Sequence, residues 1–432
     1  MKWSTSRLGG LCTKIGSGAT PRGGNSTYKS SGISLIRSQN VYNDGFHQDG
    51  LAFIDNVQAD ALSNVELQLN DVLLNITGDS VARSCQVPEG ILPARVNQHV
   101  AIIRPEASKV HHRFLRYVLI EPAMQNWLLS LAGIGATRNA LTKGMIEDLS
   151  IPLPPLPVQR AIADILGSLD DKIEVNRKMN ETLEAMARTT FRSWFIDFDP
   201  VHAKSKGRQP DGMNAETAKL FPSSFQDTEM GKIPKGWTVK QVSEVADINT
   251  WTLGKNDDLN PIEYVEISEV NRGDIGNIQI FERGQEPSRA RRRLRHGDTV
   301  MSTVRPDRRS YFLCLQPSPH LIASTGFALL SPMKVPWSFL HAGLTQGEVF
   351  EYLGQHADGG AYPAVRPEII GQLNMAIPDN DAVLGAFHEV CAGLFEIADG
   401  NRRQTGVLSQ VRDSLLPRLL TGELSVPTSR GA

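Results

Sequence analysis

The side chains best suited to chemistry in this chain are guanidinium, amide and hydroxyl groups in glycine-broken loops. What they offer is hydrogen bonding to a polyanion rather than bond making. Arg289, Arg291, Arg292, Arg293, Arg295, Arg305 and Arg308 fall between Arg283 and Arg309 with few acids among them. That density suits contact with a polyanion and is equally compatible with a solvated surface strand. Polar, flexible segments recur at residues 16–25, 37–40, 78–83 and 135–139, and again at 269–272, 305–309 and 360–366. Their groups are of the kinds that pair with base edges or phosphate. The candidate contacts are Arg22, Arg37, Ser38, Gln39, Asn40, Arg83, Thr137 and Arg138 in the first set, and Arg272, Arg305, Arg308, Arg309, Tyr362 and Arg366 in the second. Each of them alone is also compatible with an ordinary turn or a surface charge.

Catalytic constellations are missing. The chain has no Asp/Asn-Pro-Pro-Tyr/Phe run to hold an adenine amine and no Phe-x-Gly-x-Gly loop for S-adenosylmethionine. Gly16-Ser17-Gly18 leads into Ala19-Thr20-Pro21 instead of a helix, and no phosphate loop of the form Gly-x-x-x-x-Gly-Lys-Ser/Thr is present. Pro210-Asp211 with Glu216 and Lys219 has the wrong spacing for a nuclease metal site. His111 and His112 are adjacent, so on a helix their rings should diverge, which argues against metal binding. Cys12, Cys85, Cys314 and Cys391 lie far apart, suggesting neither a disulfide framework nor zinc. The chain is therefore expected to be non-catalytic and to bind no cofactor or metal itself.

The elements that must position these loops are stated twice, at an offset of about 225 residues. Asp71-Val72-Leu73-Leu74-Asn75 matches Asp298-Thr299-Val300-Met301-Ser302, and residues 97–105 match 324–332, keeping apolar positions and the closing proline while polar ones change. Short β-type runs at residues 33–36, 51–54, 72–76 and 100–103 precede an apolar helical pattern over 111–131. Ile151-Pro152-Leu153-Pro154-Pro155-Leu156-Pro157 then imposes an extended, rigid entry to a helix of about 38 residues. Leu166, Leu169, Ile173, Asn176, Asn180, Leu183, Ala187, Thr190 and Trp194 advance along it in steps of three and four, a coiled-coil seam whose asparagines each require a partner. A helix this long needs a mate. Val390, Leu394, Ile397, Leu408, Val411, Leu415 and Leu419 supply a second stripe, which Pro417 should end or kink.

The fold class expected is α+β: two mixed α/β recognition domains joined by two long antiparallel helices as a coiled-coil spacer, with an internal pseudo-two-fold repeat. The boundaries expected are 1–150 for the first domain, 151–199 for the first long helix, 200–236 for a linker with one helical turn near 214–220, 237–378 for the second domain, 379–425 for the second long helix and 426–432 for a tail. With 40% apolar and 21% charged residues, a net charge of −2 and no run of about 18 apolar residues, the composition is that of a soluble protein. The N-terminus lacks the apolar stretch of a signal peptide, so a cytoplasmic location is expected.

The run Leu153-Pro154-Pro155-Leu156-Pro157-Val158-Gln159-Arg160, the segments from Gly207-Arg208-Gln209-Pro210 to Ile233-Pro234-x-Gly236-Trp237, and the terminal Leu419-Leu420-Thr421-Gly422-Glu423-Leu424 carry a resemblance. The whole chain resembles the specificity subunit of type I restriction-modification systems. That resemblance implies two target recognition domains that each read half of a split duplex DNA site, held apart by two antiparallel helices. It also implies two methyltransferase subunits docked on the helices, restriction and translocase subunits joined through the complex, and S-adenosylmethionine, ATP and Mg on those partners. The second half departs from the pattern where Pro378 is followed by Asp379-Asn380-Asp381 instead of a proline-rich run. A coiled-coil scaffold whose heads bind proteins, without DNA specificity, is the other reading.

Overall fold

The computed structural model describes residues 3–133, 139–360 and 362–427. The chain packs into two units, Met1–Glu174 with Thr405–Ala432, and Val175–Gln404. Both long helices, Leu156–Phe195 and Asp381–Leu420, contribute residues to each unit.

In the first unit, four antiparallel strands lie in the order Cys12–Ser17, Val100–Pro105, Val72–Asn75, Ser84–Gln86. Side chains alternate across a strand, and here both faces are covered. Val72, Leu74, Ala101 and Ile103 enter one core, whereas Leu73, Val100 and Ile102 enter the other. The second core lies against a three-stranded sheet, Ala52–Ile54, Ile33–Ile36 and Ala94–Val96, whose last pair is parallel. Thr5–Arg7 pairs with Ser150–Pro152 and closes the unit at the helix entry.

That entry is held by Gln159, 1% exposed. Its Nε2 donates to the carbonyls of Pro154 at 2.8 Å and Lys109 at 3.3 Å, and its Oε1 accepts from the His111 N–H at 2.9 Å. Prolines remove backbone N–H donors from this stretch, and the glutamine side chain supplies one to the Pro154 carbonyl. Ile162, Ala163 and Leu166 then join Leu416, Leu419 and Leu420 of the second long helix in one core with Phe114 and Val118.

The second unit repeats the order of the four-stranded sheet and adds one strand to the other sheet. Its four-stranded sheet runs Ala246–Ile248, Phe327–Pro332, Asp298–Ser302, Tyr311–Cys314, and a second sheet runs Gln279–Phe281, Ile262–Val265, Leu321–Ser324, Ala290–Arg293 with its middle pair parallel. Trp237–Gln241 pairs with Asn374–Pro378, as Thr5–Arg7 pairs with Ser150–Pro152. Here the helices meet through aromatic rings. Phe191 and Phe195 lie 5.9 Å and 5.2 Å from Phe387, and Phe195 lies 4.8 Å from Phe339.

The seam asparagines are partnered within this unit. Asn176 Nδ2 donates to Gln404 Oε1 at 2.9 Å, Asn180 Nδ2 to the Ala398 carbonyl at 3.1 Å, and Asn401 Nδ2 to Asn180 Oδ1 at 2.9 Å. Numbers rise on one helix as they fall on the other, so these segments run antiparallel. None of the nine seam positions of the first helix is exposed.

Several expectations are corrected. Val390, Ile397 and Val411 are 51%, 52% and 40% exposed, so they do not form the buried stripe of the second helix. Val383, Leu384, Phe387, Cys391, Phe395 and Ala398 do, because Phe191, Trp194 and Phe195 select the face that accommodates rings. The second helix also passes Pro417 and ends at Leu420. The helical pattern over 111–131 is two helices, His112–Ile120 and Pro122–Gly133, broken where Pro122 forbids its predecessor the helical region. The segment 200–236 is folded rather than a linker. It forms helices Asp199–Ser205 and Ala215–Leu220 and a hairpin of Phe225–Thr228 with Gly231–Pro234, burying Val201, Phe221 and Ile233 in the unit's main core.

Candidate nucleic-acid interface

In each unit, the turn after a central strand of the four-stranded sheet is tied to a loop that follows the helices. In the first unit the Gly78 N–H donates to the Asn139 carbonyl at 3.2 Å, the Leu141 N–H to the Ile76 carbonyl at 2.8 Å, and Thr77 bridges Ala140. In the second, the Arg305 N–H donates to the Pro363 carbonyl at 2.7 Å, the Val365 N–H to the Thr303 carbonyl at 2.8 Å, and Val304 bridges Ala364. Backbone holds these loops, which leaves their side chains open to variation.

The turn in the second unit brings candidates together. The Arg305 guanidinium lies 4.6 Å from the ring centroid of Tyr362, Arg309 lies 5.9 Å from that of Phe350, and Arg308 is exposed on the same turn. Arg366 is exposed and precedes the helix Pro367–Gly371. Arg272 is exposed on a separate loop, bridged to Tyr311. The basic run behind them is largely consumed internally. Arg283 and Arg291 reach Glu286, at 2.5 Å and 3.6 Å, and Arg293 reaches Asp257 at 3.5 Å. Burial lowers the pKa of Arg292. Arg289 and Arg295 remain exposed.

In the first unit Arg37 lies 5.4 Å from the Tyr28 centroid and shares the Gly50 carbonyl with Gln39, while Arg83 lies 4.6 Å from the Tyr42 centroid. Arg22 is exposed beside the turn at Gly23 and Gly24. Ser38 is half-buried, and its carbonyl accepts from Asn75. Asn40 is a correction. It is 0% exposed, donates to the carbonyls of His47 at 2.9 Å and Asp49 at 3.2 Å, and accepts from the Arg37 N–H, so it shapes the loop and cannot meet a base. Thr137 and Arg138 lie outside the described residues.

Two groups escaped the sequence reading. Thr20, Gln98, His99 and Thr77 form a hydrogen-bonded chain: Thr20 to Gln98, Gln98 Nε2 to His99 Nε2 at 3.0 Å, and His99 Nδ1 to Thr77 Oγ1 at 2.6 Å. Gly18 permits it, since a Cβ there would fall 2.1 Å from the Val96 carbonyl oxygen. The changed polar triplet 97–99 against 324–326 was the available signal. Trp251 has Arg293 at 4.2 Å and Arg295 at 4.7 Å from its ring, a cation–π pair that nothing in the spacing announced.

The chain's reactive groups are quiet. Burial pushes the thiols of Cys12, Cys85 and Cys391 up to about 12, and all four cysteines are free. His111 and His112 do not diverge, because His111 precedes the helix, and their rings lie 4.4 Å apart. Burial lowers His112 to about 4. Among the described residues no group of three or more His, Cys, Asp or Glu side chains could hold a metal ion, and no helix is long and apolar enough to cross a membrane.

Residues 1–185 match the family model of the type I restriction modification DNA specificity domain. The HindI specificity subunit of Haemophilus influenzae is 27% identical over 382 residues, covering 76% of this chain and 81% of that one. The MjaIX specificity subunit of Methanocaldococcus jannaschii is 25% identical over 347 residues, covering 77% and 74%. The family model thus covers the first 185 residues, and both of these relatives are specificity subunits. A crystal structure of the type I S subunit from M. genitalium shares its fold, with a TM-score of 0.55 at 14% identity over 96% of each chain. A DNA specificity domain in the matched part is in keeping with loops that carry arginines and aromatic rings.

Proposed function

We propose that this chain is a specificity subunit that reads a two-part duplex DNA site, one part by the loops of each recognition domain, and positions methyltransferase and restriction subunits for adenine methylation or cleavage. The observation that carries this reading is the recurrence of one tied pair of loops in both units with different side chains, Gly78 and Asn139 in one, Arg305 and Tyr362 in the other. A shared frame with changed polar groups is what reading two different half-sites requires. Of the candidates, Arg22, Arg37, Gln39, Arg83, Arg272, Arg305, Arg308, Arg309, Tyr362 and Arg366 stand as proposed contacts.

The two long helices would set the half-site spacing as a coiled-coil spacer relating the domains by a pseudo-two-fold. Exposed Val175, Met179 and Met186 on the first helix and Val390 and Ile397 on the second offer apolar surface on which methyltransferase subunits, two in number, would dock. S-adenosylmethionine, ATP and Mg would be bound by those partners, in the cytoplasm. Methylation mapping in cells carrying the chain with its partner subunits tests the reading. The expected result is modified adenines in one split motif of constant spacing, with binding that weakens steeply as salt rises. Equal affinity for all duplexes in a randomised library would overturn it.

A further inference from the structure

We infer that Gln98 reads the edge of an adenine in one half of the site; this rests on the DNA-reading function above. Gln98 is exposed, and both ends of its amide are held. The Thr20 hydroxyl donates to Oε1, and Nε2 donates to His99 Nε2 at 3.0 Å. An amide nitrogen only donates, so this ring nitrogen accepts, the ring proton sits on Nδ1, and Nδ1 donates to Thr77 Oγ1 at 2.6 Å. The amide keeps one further N–H on Nε2 and one further lone pair on Oε1. A donor and an acceptor side by side are what match N7 and N6 of adenine in the major groove.

Several of the loops proposed to meet DNA leave the sheets at this same end. Gln98 leads into the strand Val100–Pro105, whose antiparallel neighbours Cys12–Ser17 and Val72–Asn75 run on beside it into Thr20 and into the tied turn at Thr77 and Gly78. On the other side the Asn97 N–H donates to the Ile36 carbonyl at 2.9 Å, where the loop of Arg37 and Gln39 begins. The turn itself does not need the glutamine. Its backbone is fixed by the His99 N–H on Asn97 Oδ1 at 3.1 Å and the Ile76 N–H on the His99 carbonyl at 3.0 Å. The matched turn of the second unit is built alike, with the Gly326 N–H on Ser324 Oγ at 3.4 Å and the Thr303 N–H on the Gly326 carbonyl at 2.9 Å. Thr325, Gly326 and Val304 stand there in the places of Gln98, His99 and Thr77, so the same frame forms without the hydrogen-bonded chain. Ordering an exposed glutamine costs rotamer entropy that the turn does not require, and it prepares the amide for a bidentate contact.

The test uses the full complex with methyltransferase subunits, comparing wild type with Gln98→Ala and Gln98→Glu by binding to a randomised duplex library and by methylation mapping. Gln98→Ala removes the donor and acceptor pair, so preference for adenine at one base pair of one half-site should fall about 10- to 100-fold, with the other half-site unchanged. Gln98→Glu keeps the shape and, with the ring proton of His99 moved to Nε2, the bonds to Thr20 and His99. It offers DNA only acceptors, so the same base pair should lose adenine and gain cytosine, whose N4 donates. An unchanged motif with Gln98→Ala, equal weakening on every sequence, altered preference in both half-sites, or adenine still preferred with Gln98→Glu would each overturn the inference. Absence of any sequence preference in the wild-type complex would instead overturn the underlying function, and the inference with it.

Discussion

Asp71 and Asp298 occupy matched places in the two units and live in different electrostatic settings. Both cap the turn before their strand in the same way: Asp71 Oδ2 accepts from the Gln68 N–H at 2.8 Å, and Asp298 Oδ2 from the Arg295 N–H at 2.7 Å. In the first unit Arg104 adds a bidentate ion pair to Asp71, at 2.7 and 2.8 Å. In the second, the place of Arg104 is taken by Ser331, and burial pushes the Asp298 carboxyl above its ordinary value despite help from that hydroxyl. The turn therefore needs the cap, while the charge is an option that only one unit satisfies.

The long-helix carboxylates show the same contrast. In the first unit Asp170 meets Arg116 at 2.5 Å, Tyr117 Oη at 2.7 Å and Arg412 at 2.9 Å. Burial opposes its ionisation, yet the summed pull of Arg116, Tyr117 and Arg412 holds it below the usual carboxylate range. In the second unit Glu184 contacts Arg402, Arg188 and Tyr311, yet burial outweighs them and raises its pKa.

The strongest way to break this comparison is Asp170→Ala. It leaves Arg116 and Arg412, 8% and 13% exposed, without their carboxylate, and should cost about 3–5 kcal/mol in urea unfolding. The sign with pH follows from the lowered pKa. The Asp170 contribution is present above the unfolded carboxylate value and lost as pH falls through the folded one, so the penalty of Asp170→Asn should shrink in acid. A penalty that does not change between pH 7 and pH 3 would contradict the pairing. Next in size, Asp71→Asn keeps the turn cap but removes the carboxylate from Arg104, leaving it the Glu66 carbonyl, and is expected to cost about 2–3 kcal/mol. Its matched change, Asp298→Asn, should run the other way. Since the raised pKa of Asp298 means stability is lost as pH rises through it, the amide should stabilise by on the order of 1 kcal/mol at pH 7 and by nothing in acid. If both asparagines were equally destabilising, the two settings would not differ. Smallest of all, Asn180→Leu should move stability by less than about 1 kcal/mol. The gain in apolar contact is set against loss of the Ala398 and Asn401 bonds, and cross-linking across the helix pair should report looser register.

Much of the frame was legible because periodicity is a local signal. The strand runs 33–36, 72–76 and 100–103 lie within or beside observed strands, and the first long helix begins at Leu156 after its proline entry. The seam asparagines declared their need for partners, and Gln404, Ala398 and Asn401 meet it. Legibility failed where a partner chooses among equals. Val390 and Ile397 are as apolar as Phe387 and Ala398, and only the rings of Phe191, Trp194 and Phe195 decide which face turns inward. It failed likewise at Asn40, whose polar type suits a base edge and whose position within its loop makes it a structural clasp.

By itself, the sequence determined the repeat, the alternation that builds two-faced strands, the proline stop before the long helix and the absence of catalytic motifs, all of which depend on residues near one another in the chain. The tertiary structure alone decided which arginines are spent on carboxylates and which stand on exposed rings, that Val201, Phe221 and Ile233 of the segment 200–236 enter a core, and that Arg305 occupies a backbone position its sister turn gives to glycine. The physical reason is that charge pairing, burial and stacking are set by distance in space, which separations such as that of Arg305 from Tyr362 do not reveal.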